Sequence, residues 1–503
     1  MTSRSHNPVK SVVIVGGGTA GWIAAAALSK LMGQTITIRL IESEQIGTVG
    51  VGEATIPQIR RLNGILGIDE REFIRATNGS FKLGIEFNNW GQHGDSYLHT
   101  FGDAGINLQG QLFHHYWRRY ADRHDGPSLW DYSLHHRAAY AHKFGQVERV
   151  GQTSMTGLAY AYHFDATAYA MFLRQISEPR GVIRTEGKVV DVTLDTEIGH
   201  VASVTLESGE RIAGDLFIDC TGFRGLLIGG ALNVRWQDWS HWLPADRAVT
   251  VACERTDPLL PYTKATAHGA GWQWRIPLQH RTGNGHVFAS EFMSEDEATQ
   301  ILLDHLDAPA TADPRTLTFK TGRRDRLWHK NVVSLGLASG FLEPLESTSI
   351  HIIQSNVSRL IELFPDRGFS DANIAEYNRV VTKEYDLIRD FLILHYCRTD
   401  RDDTLFWRHC ANMDIPDSLT HKIDLFRATG HLFRDPDDLF RESSWVQVMV
   451  GQGLRPESWH RRIDQISDAQ LDQFMADVKA IIAKTVDPLP SHADFIRHLC
   501  KPD

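Results

Sequence analysis

The residues with the clearest chemical reading stand near the start of the chain. Ser11 to Val15 is a short β-branched run, Gly16-Gly17-Gly18-Thr19-Ala20-Gly21 follows it, and an alanine-rich helical stretch runs from Trp22 to Leu31. Gly16, Gly18 and Gly21 fit G-x-G-x-x-G: the first permits a tight turn, the second lets backbone approach a pyrophosphate, and the third lets helix pack on strand. Thr19 and Ala20 complete the turn at a helix start whose bare N–H groups face phosphate oxygens. A second strand, Thr35 to Ile41, ends at Glu42, about 20 residues past the glycines, where a carboxylate accepts hydrogen bonds from a ribose hydroxyl. That chemistry is dinucleotide binding, and the spacing does not separate FAD from NAD(P).

Other chemistries find less support. The 25 histidines include His114-His115 and His135-His136, yet no H-E-x-x-H or equivalent ligand spacing occurs, so satisfied histidines are expected and a metal site is not. Cys220, Cys253, Cys397, Cys410 and Cys500 lie far apart and form no CxxC pair, which argues against a disulfide framework or structural zinc and fits a reducing cytoplasm. A formal charge of -10 gives no electrostatic footprint for nucleic acid. The opening Met-Thr-Ser-Arg-Ser-His-Asn-Pro is poor signal-peptide material, and no apolar stretch reaches about 18 residues, so neither export nor a membrane is expected.

The elements that must position a site can be read coarsely. At about 150 residues per domain, 503 residues suggest two to four subdomains, and 42% hydrophobic residues suffice for a folded interior. Lys188 to Leu194 and Val201 to Leu206 read as paired strands joined near Ile198-Gly199, and Asp215 to Asp219 as a buried strand ending in Cys220-Thr221-Gly222. A strand finishing in Asp-x-Thr-Gly resembles the second contact segment of FAD-dependent monooxygenases, which would place Val189 against the adenine through its backbone. From about Asn356 the pattern turns helical, with long stretches at Ile374 to His395 and Leu471 to Thr485.

Three further segments narrow the reading: Gly79-Ser80-Phe81-Lys82-Leu83-Gly84, the W-x-W-x-I-P run Trp272-Gln273-Trp274-Arg275-Ile276-Pro277, and Gly336 to Thr348, which contains Leu342-Glu343-Pro344-Leu345-Glu346-Ser347-Thr348. Together with the glycine turn followed by Trp22, and with Val51-Gly52-Glu53-Ala54-Thr55-Ile56-Pro57, they resemble the flavin-dependent tryptophan halogenase family over nearly the whole chain.

The resemblance implies an α/β fold: a PHBH-like FAD-binding box over residues 1–365, discontinuous and carrying an interleaved substrate sheet, and a mainly helical substrate-side module over 366–503. It implies a two-component enzyme in which FADH2, supplied by a separate NADH-dependent flavin reductase, binds with O2 and chloride or bromide. Hypohalous acid forms and travels through an internal tunnel to an aromatic ring. Lys82 would hydrogen-bond the halogenating species or capture it as a haloamine, and Glu346 would stand near the ring position attacked, with Glu343 as its competitor. Gly16, Gly18, Thr19, Ala20, Gly21, Glu42, Ala54, Val189, Leu337 and Ile350 would hold FAD, and Thr348 and Ser349 the halide. Trp272, Trp274, Ile276 and Pro277 would keep organic substrate away from the flavin. A homodimer is compatible with the reading.

These residue types suit the roles. A desolvated lysine is a hydrogen-bond donor or a nucleophile towards electrophilic halogen, and a carboxylate beside the ring stabilises a cationic intermediate and receives its proton. By pattern alone the plainer readings are a solvated surface lysine and two tryptophans packing one face of a strand. At the substrate end, His99 and Phe101 in Ser96-Tyr97-Leu98-His99-Thr100-Phe101-Gly102 fit a stacking platform for indole, with ordinary packing as the alternative.

One departure from the family pattern bears on substrate. Members acting on free tryptophan carry a tyrosine pair followed by a glutamate in a C-terminal lid, whereas residues 430–455 contain no tyrosine. Charged groups taken from water need compensating hydrogen bonds, so indole or a larger indole-bearing molecule is expected rather than free tryptophan. The rival functions are an aromatic hydroxylase on the same flavin chemistry and a non-catalytic flavin-binding protein.

Overall fold

The computed structural model describes residues 7–45 and 52–501, so Val51 of the V-G-E-A-T-I-P motif and residues 1–6 lie outside the described chain. It divides into two units, each assembled from three stretches: residues 1–78, 164–244 and 319–386 in the first, and 79–163, 245–318 and 387–503 in the second.

The first unit is built on a six-stranded sheet in the order Trp328–His329, Val332–Ser334, Leu216–Asp219, Ser11–Val15, Thr37–Glu42 and Val182–Glu186. All neighbours are parallel except the first pair. Val12 to Val15 are buried without alternation, as expected of a parallel strand covered on both faces. Helix Thr19–Leu31 begins before Trp22 because Gly18 takes an extended N-cap conformation, which brings Gly21 and Trp22 into the first turn. Its run Ala24 to Ala27 is buried, and small side chains there let it pack against helices Ala166–Ser177 and Ser349–Glu362. Val189–Leu194 and Val201–Leu206 pair antiparallel as expected, and Val201, Val204 and Leu206 share a core with Val13 and Phe217.

The second unit carries a seven-stranded sheet in the order Arg315–Thr318, Arg247–Glu254, Arg281–Phe288, Gly271–Pro277, Thr263–His268, Gly84–Asn88 and Ser96–Thr100. Only Thr263–His268 and Gly84–Asn88 run parallel. The W-x-W-x-I-P run is therefore a central strand, and Trp272 and Trp274 are buried on one face of it, 6.1 Å apart between ring centroids. Ser80–Lys82 pairs antiparallel with Ala161–Asp165. From Ser349 onward every regular element among the described residues is helical, which agrees with the tail read from the sequence. Among those residues no helix is long and apolar enough to cross a membrane.

The first histidine pair, His114-His115, is structural. His114 Nε2–H donates to the Gly430 carbonyl at 2.7 Å, and the His460 amide donates to His115 Nδ1 at 3.3 Å, tying helix Phe113–Arg123 to the C-terminal stretch of its own unit. Burial pushes His114 down to about 4 and His115 down to about 2, the latter helped by His114, His431 and His460. Among the described residues no group of three or more His, Cys, Asp or Glu is arranged to hold a metal. In the unfolded chain these imidazoles take protons near pH ~6.5. Folded, they resist until far lower, so stability present above that pH is lost as pH falls towards 4. For His114 alone the loss by pH ~4 amounts to about 3 kcal/mol. The urea midpoint followed by tryptophan fluorescence is expected to drop steeply across that window. A flat midpoint would show that these imidazoles are not buried neutral.

Candidate active site

In the first unit the glycine turn is a cradle with a defined open side. Gly16 has φ +115°, and a Cβ there would stand 2.2 Å from the Cys220 carbonyl oxygen, so the turn closes against the Asp-x-Thr-Gly segment. A Cβ on Gly18 would meet nothing within 4 Å, and Gly18 has an ordinary φ of -72°. Backbone is thus bare where the helix N-terminus begins, and the residues present fit a dinucleotide pyrophosphate. Glu42 ends its strand as read; its carboxylate accepts from Trp22 Nε1 at 3.1 Å and pairs with Arg184, leaving lone pairs for a ribose hydroxyl. Asp219 fixes the facing turn, accepting from Thr221 N and Oγ1 (3.0 and 2.6 Å) and from the Leu227 and Ile228 amides (both 2.8 Å).

The same unit holds the carboxylate and halide candidates. Glu346 is 1% exposed and ends the turn Pro344–Glu346; Glu343 is buried as well, so burial does not choose between them. Ser347 follows at φ +57°, a left-handed conformation that a non-glycine residue adopts at a cost. Thr348 is fully buried with no hydrogen-bond partner for Oγ1, and helix Ser349–Glu362 starts at the next residue, as the sequence reading expects. Ile350 is buried in the first turn of that helix, Leu337 is half-buried in the turn Gly336–Ala338, Val189 opens its strand half-buried, and Ala54 ends the short strand Gly52–Ala54. Burial pushes the Glu53 carboxyl up to about 7, so this motif holds a proton near neutral pH.

The second unit holds the lysine. Lys82 is fully buried, not a solvated surface residue, and its Nζ stands 5.3 Å from the centroid of the Phe101 ring. The short strand that carries it is clamped from several sides. The Phe81 amide donates to His492 Nε2 at 3.0 Å, while His492 Nδ1–H donates to the Leu259 carbonyl at 3.0 Å. The Leu83 amide donates to the Pro261 carbonyl at 2.7 Å, and the Phe101 amide to the Leu83 carbonyl at 3.0 Å. On the face shared with Lys82, the Ser80 hydroxyl donates to the Pro277 carbonyl at 2.6 Å. Its oxygen must then accept from His163 Nδ1–H at 3.1 Å, and His163 Nε2 accepts from Thr263 Oγ1 at 2.9 Å. Burial, with Lys82 and His492 nearby, holds His163 well below the usual imidazole range, so it is neutral in one tautomer. This chain links the lysine strand to the end of the W-x-W-x-I-P strand.

Around the platform residues the structure gathers aromatics. His99, buried, lies 5.6 Å from the Phe391 ring and 6.3 Å from Phe440; Phe391 and Phe440 stack at 3.8 Å, and Trp445 meets Phe391 edge-on at 4.8 Å. Trp445 Nε1 donates to the buried Asp438 at 3.1 Å. Gln447 is bound to the platform strand: its Oε1 accepts from Thr100 N and Oγ1, both at 2.9 Å, and its Nε2 donates to the Gly102 carbonyl at 3.1 Å.

Comparison with known proteins decides the family. A model of the tryptophan halogenase family matches residues 11–468. The chain belongs to the tryptophan halogenase family. The tryptophan 7-halogenase RebH of Lentzea aerocolonigenes is 34% identical over 526 residues, covering 97% of this chain and 98% of its own. Xcc4156, a flavin-dependent halogenase from Xanthomonas campestris, is 48% identical with a TM-score of 0.95, covering 99% of each chain. BrvH, a flavin-dependent halogenase from Brevundimonas sp. BAL3, is 42% identical with a TM-score of 0.94, covering 98% of this chain and 99% of its own. The protein is accordingly a flavin-dependent halogenase, an oxidoreductase on the α/β architecture that the sequence resemblance implied.

Within this halogenase fold the structure brings Lys82 to Phe101 and His99 to the Phe391 and Phe440 pair, and it puts Glu346, Thr348 and Ser349 with the glycine turn in the other unit. Sequence reasoning missed Ser80, His163, Thr263 and His492, since residues from 83 to 411 positions apart carry no spacing signal.

Two outcomes test this geometry. Gly18→Ala is expected to leave the thermal midpoint at or above wild type while weakening FAD binding by flavin fluorescence titration, whereas Gly16→Ala lowers both. Equal stability of the two variants would contradict the cradle. Ser80→Ala leaves His163 Nδ1–H and the Pro277 carbonyl unpaired and is expected to cost about 1–3 kcal/mol in urea denaturation, with wild-type stability the contrary result.

Proposed function

We propose that this halogenase substitutes an indole-type arene, with Lys82 and Glu346 as its catalytic residues. Bound FADH2 supplies two electrons so that O2, halide and a proton give hypohalous acid and water. Lys82 then holds the hypohalous acid by a hydrogen bond or takes its halogen as a haloamine. The ring carbon takes the halogen, Glu346 faces the cationic intermediate and removes the ring proton, and water leaves. Chloride or bromide sits at Thr348 and Ser349, where a buried hydroxyl and first-turn amides supply donors. His99 and Phe101 stack the ring, and Trp272, Trp274, Ile276 and Pro277 keep organic molecules from the flavin. Reduced flavin comes from a separate NADH-dependent reductase; five widely spaced cysteines with no CxxC pair favour a cytoplasmic setting, and a homodimer remains the proposed assembly.

The single observation that carries this reading is the complete burial of Lys82 beside an aromatic ring. An enclosed amine is what confines an oxidant that is indiscriminate in water. The hydroxylase alternative has no use for such a lysine.

The substrate reading rests on the lid segment. Its inward side chains, Trp445 and Gln447, are already bound to Asp438 and to the platform strand, and residues 430–455 offer no tyrosine pair for an amino acid's charged end. Enzyme supplied with FADH2, O2 and bromide is expected to give bromoindole by mass spectrometry, with indole turned over better than free tryptophan. Only hydroxylated product would overturn the halogenase reading, and better turnover of tryptophan the indole preference. Lys82→Ala is expected to lower brominated product about 100-fold or more while FAD binding persists.

A further inference from the structure

Beside the platform strand, within the second unit, lies a cavity of about 110 Å³ that none of the proposed roles uses. At about 30 Å³ per water-sized group it has room for three or four non-hydrogen atoms. Asp103, Asn107, His135, Ser154 and Thr156 supply its polar lining and Leu134 part of its apolar lining, and no lysine or arginine borders it. Asp103 is half-buried, and among the described residues no cation pairs with it. His135, 1% exposed, donates from Nε2 to the Ala159 carbonyl at 3.0 Å, which leaves Nδ1 an acceptor without a partner. Burial pushes this imidazole down to about 4, so it is neutral at working pH and keeps that lone pair.

A carboxylate without a counter-ion beside an unfilled imidazole acceptor asks for a group that donates hydrogen bonds and carries positive charge. The location relates this demand to the arene. Asp103 follows Phe101 by two positions, so their Cα atoms are at most about 7 Å apart. Phe101 is the ring over which Lys82 Nζ stands. The intervening Gly102 carbonyl is fixed by Thr100 Oγ1 at 2.9 Å and Gln447 Nε2 at 3.1 Å, which holds the approach rigid.

We propose that this cavity is a specificity subsite for the protonated amine of a short aminoalkyl tail on an indole-type substrate, with Asp103 pairing with the ammonium and His135 Nδ1 accepting one of its N–H bonds. The inference rests on the indole reading above and adds to it. A substrate with a cationic tail is favoured over plain indole, and one with an anionic tail is repelled by Asp103. The carboxylate of free tryptophan is unwelcome for the same reason, independently of the missing tyrosine pair.

The test uses the full-length enzyme with its flavin supply and bromide on three arenes: indole, 3-(2-aminoethyl)indole and indole-3-propionate. The aminoethyl compound is expected to exceed indole in kcat/KM by about 10-fold, mainly through KM, with the propionate below indole. In Asp103→Asn the ratio of kcat/KM for the amine to that for indole is expected to fall about 10-fold to 100-fold. Ser154→Lys, on an exposed loop, places a competing ammonium at the cavity and is expected to reduce the same ratio, which guards against a misfolded Asp103 variant. Calorimetric binding of the amine should weaken in parallel without turnover. Unchanged ratios in both variants, or equal handling of the three tails by wild type, would overturn the subsite. Amine binding that depends on Asp103 with no brominated product from any arene would overturn the halogenation reading and leave the subsite standing.

Discussion

Removing one primary amine from water is the constraint around which the second unit is organised. A lysine at zero exposure gives up its hydration, and a flexible four-carbon stem gives up its rotamers, so neither loss is tolerated unless the backbone beneath it cannot yield. That is why a strand of only three residues, Ser80–Lys82, is held by His492, by the Pro261 carbonyl, by the Phe101 amide and by the chain from Pro277 through Ser80 and His163 to Thr263. Both histidines in that scaffold are neutral, each with one nitrogen donating and the other accepting. A charged imidazole could not serve, because it would need a second acceptor where a donor already stands.

The first unit meets a different demand. An anionic ligand needs bare backbone N–H groups and no side chain in the way, and Gly18 provides that opening while Gly16 and Gly21 let the strand, turn and helix close behind it. Asp219, with four side-chain hydrogen bonds to the turn that faces the glycines, keeps the other wall fixed. Ser347, between the buried Glu346 and the buried Thr348, is one of the places where a left-handed non-glycine backbone is held, and there it sets the direction of two candidate groups. Placing the polar atoms by backbone geometry costs less flexibility than placing them by long side chains.

The lid segment combines both themes. Trp445 and Gln447 are both buried, and each is already satisfied, by Asp438 or by the strand that carries His99. Such a wall suits a flat, mostly apolar ring, while unmet polar capacity lies at His135 Nδ1, which lines the cavity together with Asp103.

The sequence by itself determined what depends on neighbours along the chain. The glycine turn, the strand ending at Glu42, the hairpin from Val189 to Leu206, the turn into helix at Ser349 and the helical tail are all local patterns of period, propensity and punctuation, and the structure has each of them within a few residues. The motifs around Lys82, Trp272 and Glu346 identified the family because they preserve residue types at short range. Tertiary structure alone decided that Lys82 is dry, that His163 and His492 brace it, and that an unpaired Asp103 borders a cavity. Desolvation and hydrogen-bond completion are set by segments hundreds of residues apart, and no spacing along the chain encodes which of them will meet.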